Sequence, residues 1–256
     1  MGLDIYFYKV KNGNAKVIKA FNEFYEDFTW ETPIEDVRAL AEKLGITDRL
    51  TIEEKTFNDV DGNARKYVDA DRTDLTEIMY FRKENWLLPF FNYEDNCSDK
   101  IVHKDDVENF VETAREILQE AEKYEEKRDA FFNRLEYDFD YEYDYDKLLT
   151  ALEELKETNT EKETPVIPEF VEELYDNFTE IVLHNEIAAV KEIIEAKKSF
   201  QEKANALMPT ESGFFFGSTD YTDYYIEDIR NETEQFEETL NTFDWDNDIL
   251  IMHCWW

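Results

Sequence analysis

Leu3-Asp4-Ile5-Tyr6-Phe7-Tyr8-Lys9-Val10 stands near one end of the chain, and Ile249-Leu250-Ile251-Met252-His253-Cys254-Trp255-Trp256 stands at the other. Both stretches are rich in β-branched and aromatic residues, so each reads as a strand. Both are too apolar to stand alone in water, which predicts that the two ends meet in one sheet. After the first strand comes the turn signal Asn12-Gly13-Asn14, and Ala15 to Phe21 then resumes an extended pattern. That pairing reads as a β-hairpin.

Working inward, Thr32-Pro33 opens a short helix through Ile34, Val37, Leu40, Ala41 and Leu44 that stops at Gly45. Leu50 to Phe57 reads as a strand closed by the turn Asp59 to Asn63. Over Thr73 to Phe91, the spacing of Leu75, Ile78, Met79, Arg82, Trp86 and Leu87 predicts a helix ended or kinked by Pro89. A long helix starts near Lys104-Asp105 and follows Val107, Phe110, Val111, Ala114, Ile117, Leu118, Ala121 and Tyr124 toward Leu135. A second runs from Pro168 to Leu207, and the two suggest an antiparallel helical arm. Between them Glu136 to Asp146 alternates acid and aromatic, so as a strand one face is carboxylate and the other ring. The fold class is therefore α+β: a small, mainly antiparallel sheet of N- and C-terminal strands, packed by helices, with a long helical arm inserted. Residues 1–118 and 206–256 form the α+β core in this reading, and 119–205 the acidic helical insertion.

Composition narrows the function. Among 256 residues, 42% are hydrophobic and 16% aromatic, enough for a packed core, while 63 acids against 28 bases give a charge of −35. Affinity for a phosphate backbone comes from Lys and Arg, so direct nucleic-acid binding is not expected. Anionic membrane surfaces need basic patches, and no run approaches the roughly 20 apolar residues of a spanning helix. The start lacks the basic and apolar regions of a signal peptide. Cys97 and Cys254 make no disulfide framework, which points to a reducing cytoplasm. The acid is not uniform: Lys9, Lys11, Lys16 and Lys19 face Asp4 alone within the first twenty residues.

Three stretches share a pattern: Met1-Gly2-Leu3-Asp4, Tyr80-Phe81-Arg82-Lys83-Glu84-Asn85, and Ser212-Gly213-Phe214-Phe215-Phe216-Gly217-Ser218-Thr219-Asp220-Tyr221. Together with Phe243-Asp244-Trp245-Asp246-Asn247, the chain resembles an uncharacterised family of phage and bacterial proteins. Members of that family begin MGLD, carry a YxRKxN-type helix, and end in a SGFFFGST segment, an acidic helix and a last strand. The resemblance brings no reaction with it; the phage association implies host-directed roles.

Two candidate sites follow. Arg82 and Asn85, three apart on the expected helix, share a face and could hold a carboxylate or phosphate. Ser212, Gly213, Gly217, Ser218 and Asp220 could line the same ligand, with backbone N–H groups at the following helix start. The plainer alternatives are an ion pair at Arg82 and a turn that packs three phenylalanines. The acids offer a second possibility. Asp138, Asp140, Glu142, Asp144 and Asp146, with Asp223, Glu227, Glu234 and Glu238 on the expected helix from Tyr221 to Leu240, could imitate a row of phosphates. The plainer alternative is a solvated face.

His103, His184 and His253 are too far apart for a zinc motif. His253 and Cys254 point to opposite faces of a strand, while Cys97 and His103 could still meet in space. Asp244 to Asp248 begins like a calcium loop but has Ile249 where glycine is required, so it reads as a turn. No metal, cofactor or catalytic group is assigned. The expected function is a non-enzymatic acidic interaction protein, phage-associated, binding the basic surface of a host protein as a nucleic-acid mimic or counter-defence factor. The alternative is a small-ligand binder or enzyme using Arg82, Asn85 and the Gly213–Asp220 turn.

Overall fold

The structure is a computed structural model that describes residues 2–93, 98–134, 144–159, 183–213 and 216–255. Among them are β1 (Asp4–Val10), α1 (Ala15–Asp27), α2 (Ile34–Leu44), β2 (Leu50–Asn58), β3 (Ala64–Arg72) and β4 (Leu75–Arg82). They are followed by α3 (Leu87–Phe90), β5 (Asp99–Val102), α4 (Lys104–Arg134), α5 (Tyr145–Asn159), α6 (Leu183–Leu207), α7 (Asp223–Thr242) and β6 (Ile249–Trp255). The fold is α+β. The chain divides into two compact units: Met1–Phe110 with Thr210–Thr219 and Gln235–Trp256, and Val111–Pro209 with Asp220–Glu234.

In the first unit the two chain ends do meet. β6 lies between β1 and β5, and β4 pairs with the other edge of β1, giving an antiparallel sheet of order β4-β1-β6-β5. Asp4 stands opposite Trp255 and Val10 opposite Ile249. Opposed residues share a face, so Ile5 and Phe7 lie with Cys254, Met252, Phe81 and Met79. This face is the core. Phe7 meets the rings of Phe81, Phe91 and Phe236 edge-on at 5.9, 5.5 and 5.2 Å. Each such buried ring contributes about 1.5–3 kcal/mol. The opposite face carries Tyr6, Tyr8, Tyr80 and His253, with Ile18 of α1 covering Val10 and Ile251.

Ala15–Phe21 is not the second strand of a hairpin. It is the start of α1, because Asn14 is extended and its side chain accepts from Lys16 N and Val17 N at 3.0 and 3.2 Å. Ile18, Phe21 and Phe24 then fall on one buried helical face. The cap and the three-residue spacing outweigh the turn-like Asn-Gly-Asn. A second correction falls on Thr73–Phe91. Leu75–Arg82 is β4, and the short helix is confined to Leu87–Phe90. Met79 and Phe81 are buried while Tyr80 and Arg82 are exposed, a period of two that the helical spacing concealed.

Several other elements match their sequence signals, whereas β3, β5 and α5 carry none that the sequence reading used. α2 ends at Gly45. β2 turns at Asp59, whose carboxylate accepts from Asp61 N and Asn63 N, and returns as β3, a strand the sequence reading missed. Phe21, Phe24, Val37, Ile46, Val68 and Ala70 seal this hairpin against α1 and α2. Asp244 accepts from Asp248 N at 2.9 Å in the expected turn before β6.

In the second unit, α4 buries Val111, Ala114, Ile117, Ala121 and Tyr124 as the stripe predicted. Polar pairs run along its seam with α6 in opposite senses: Glu116 with Lys203, Glu120 with Ser199, Lys127 with Glu192, Arg134 with Glu186. The two helices are thus antiparallel. Residues 160–182, where the second long helix was expected to begin, lie outside the described residues, as does most of the acid–aromatic alternation (136–143).

Candidate functional site

Three stretches that are remote in sequence converge in the first unit. At the end of β4, Lys83 takes a positive φ of 73° and its N–H donates to Leu3 O at 2.9 Å. Gly2 lies against the Arg82 guanidinium. From the far loop, Gly217 (φ 91°) approaches so closely that a Cβ there would sit 3.1 Å from Lys83 Cβ. Asn85 closes the arrangement. Fully buried, its amide nitrogen donates to Phe216 O at 3.0 Å and Ser218 O at 2.8 Å, and its oxygen accepts from Glu211 N at 3.2 Å. Within the loop, Phe216 covers Gly213, where a Cβ would meet ring atoms at 2.7–2.8 Å.

The expected helix face shared by Arg82 and Asn85 is therefore replaced by a strand end and a bend. Arg82 is exposed and stands 3.9 Å from Asp4. Asn85 points inward, with both its amide nitrogen and its oxygen committed to the loop. Ser212, Gly217 and Ser218 are exposed beside it, Asp220 is exposed in the second unit, and Phe214 and Phe215 lie outside the described residues.

A different group of residues lies on the sheet face turned away from the phenylalanine core. Arg72 at the end of β3 donates to Asp74 (Nε to Oδ1, 2.9 Å) and to Asp99, and its guanidinium stacks 3.8 Å over the Phe21 ring. Arg49 also donates to Asp74, at 2.8 Å. Asn22 of α1 fixes the backbone of Asp99 by a reciprocal pair at 2.8 and 2.9 Å. The other Asp99 oxygen is 2.9 Å from His253 Nδ1. Two arginines and two aspartates thus cancel in a nearly water-free network, and one carboxylate oxygen orients an imidazole. A cleft of about 600 Å³ opens beside it, lined by Tyr8, Tyr25, Phe28, Asp71, Leu75 and His253 among others.

Sequence reasoning passed over this network. His253 was correctly placed on the face opposite buried Cys254, but its partner Asp99 is 154 residues away and pairs only because β5 adds to β6. Arg72 was invisible because β3 itself was not recognised. The alternation of Tyr6 and Tyr8 with Phe7 was the one available signal. Cys97 lies outside the described residues, so its pairing with His103 does too.

The acidic candidates separate. Glu227, Glu234 and Glu238 are exposed along α7. Asp223, expected to stand with them, is instead buried and paired with Arg128 at 3.0 Å. Desolvation holds its carboxyl above the usual range despite the opposing pull of the guanidinium. Asp144 and Asp146 are exposed at the start of α5, where Asp144 accepts from Lys147 N at 2.9 Å. Asp138, Asp140 and Glu142 lie outside the described residues.

No family model, no curated protein and no solved structure matches the chain at a significant level. Among the described residues, no helix is long and apolar enough to cross a membrane.

Proposed function

We propose that the chain is a non-enzymatic interaction protein whose acidic surface docks on a basic surface of another protein, of the kind that otherwise holds nucleic acid. One observation supports this above others: many of its bases are already matched to its own acids. Arg49 and Arg72 are absorbed by Asp74 and Asp99, Arg128 by Asp223, and Lys127, Arg134 and Lys203 by the seam of α4 and α6. The surplus behind the charge of −35 is left as carboxylate, including Glu234 and Glu238 on the exposed edge of α7. A dense negative surface attracts basic grooves and competes with phosphates for them. The phage-like pattern of Gly2-Leu3-Asp4, Arg82 to Asn85 and Ser212 to Asp220 makes a bacterial protein the natural partner.

The test is capture from bacterial lysate by the wild-type chain and by a Glu227→Gln, Glu234→Gln, Glu238→Gln variant. A partner that binds the wild type, is released by added duplex DNA or by moderate salt, and is lost from the variant is the expected result. Capture that is indifferent to salt, DNA and the three substitutions overturns the reading.

A further inference from the structure

We propose that the cleft beside His253 is a binding site for an organic cation, a guanidinium or alkylammonium group on an apolar stem. This stands apart from the acidic-surface reading, because it concerns one cleft inside the first unit and is tested on the isolated chain. Its volume of about 600 Å³ lies in the ordinary range for small-ligand sites, ~300–1,000 Å³.

The atoms that face the cleft decide the chemistry. Asp99 can only accept, so the proton of neutral His253 sits on Nδ1 and the ring offers Nε2 as a lone pair. Among the described residues, no hydrogen-bond partner is found for that nitrogen, for the hydroxyls of Tyr8 and Tyr25, or for the Asp71 carboxylate. Burial pushes both phenols up to about 12, so they are neutral in ordinary buffers. The walls are the rings of Tyr8, Tyr25 and Phe28 with Leu75. Aromatic faces carry negative quadrupole and attract cations by about 0.5–2 kcal/mol each.

An anion finds no welcome here. Among the described residues lining the cleft, Arg72 is the one arginine or lysine, and its hydrogens are turned to Asp74 and Asp99. The unbalanced charges nearby are Asp71 from β3 and Glu77 of β4, which acts on Tyr8 electrostatically. Acceptors, ring faces and negative charge together fit a donor-rich cation. Guanidinium suits best, since its flat fork can stack on a ring while donating at its edges.

The same chemistry could arrive on a free small molecule or on an arginine side chain of a protein partner. Titration of the intact chain with N-acetyl-L-arginine methyl ester, its uncharged N-acetylcitrulline counterpart, benzoate and the N-acetylated, C-amidated peptide Gly-Gly-Arg-Gly-Gly separates these, read by amide and ring NMR shifts. The arginine ester or the peptide should bind at least about tenfold more tightly than the citrulline ester, with shifts centred on Tyr8, Tyr25 and His253. Tighter binding of the peptide assigns the site to a protein side chain, and tighter binding of the ester to a free cation.

Asp71→Asn, an exposed change that should leave the fold intact, should weaken either ligand about tenfold. Equal binding of the citrulline ester, preference for benzoate, or shifts centred elsewhere would overturn the proposal.

Discussion

Asn85 shows how much one side chain can hold. Its two amide hydrogens and its oxygen tie Phe216, Ser218 and Glu211 to the bend after β4. Removing them deletes three hydrogen bonds to the loop backbone, one of them fully buried at Phe216 O, where a lost bond costs about 1–3 kcal/mol. Asn85→Ala is therefore expected to lower the unfolding free energy of the first unit by about 2–4 kcal/mol in urea titration. The residue stood out in the sequence as part of a pattern, but its partners come from 126 to 133 positions downstream, so its role as a fastener was not legible.

Asp228 teaches the opposite lesson about charge. Burial, helped by neighbouring Glu227, raises its pKa above the ordinary carboxylate value. A raised folded pKa means the ionised form is disfavoured in the native state, a cost present above that pKa and relieved as pH falls through it. Asp228→Asn should thus stabilise the protein at neutral pH. The gain should shrink on acidification and vanish once the wild-type carboxyl is protonated in both states, as followed by thermal melts across the acid range.

At the level of elements, local signals succeeded where no competing period existed. Ile34–Leu44 with Gly45, the stripe of α4 and the strand β6 were legible because each carries a boundary signal or one clear repeat. β4 was misread because Leu75, Ile78, Met79 and Arg82 fit a helical stripe as well as a half-buried edge strand, and only pairing with β1 decides between them. α1 was misread because Asn14 is both a turn residue and a helix cap. The cap can be weighed directly: Asn14→Ala removes the acceptor for Lys16 N and Val17 N and should cost about 1 kcal/mol, measurable as a lower urea midpoint with unchanged slope. The His253–Asp99–Arg72 network escaped notice for a related reason. It is assembled from β6, β5 and β3, none of which touches the others in sequence.

For the molecule as a whole, a charge of −35 on 256 residues makes self-repulsion a standing term against compaction. Raising salt from about 10 mM to about 1 M shortens the screening length from ~30 to ~3 Å, which weakens repulsion among dispersed carboxylates more than it weakens the buried Arg72 and Arg128 pairs. The melting temperature should rise with salt over this range. A fall would mean that exposed pairs such as Lys127–Glu192 outweigh the repulsion. The same excess of acid was plain in the composition, whereas its partition between buried partners such as Asp223 and open positions such as Glu234 was not.

The place of β6 between β1 and β5 sets a schedule for biosynthesis. Until Ile249–Trp255 has left the ribosomal tunnel, β5 has no neighbour in the sheet and β1 is bordered by β4 alone. Phe7, Met79 and Phe81 must wait with their core face partly uncovered while α1, α2 and the β2–β3 hairpin can already pack on one another through Phe21, Phe24, Val37, Val68 and Ala70. The Phe21–Ala70 cluster can therefore form early in synthesis, but the large sheet closes only once Ile249–Trp255 has emerged to lie between β1 and β5, and until then the exposed apolar edge is open to wrong partners.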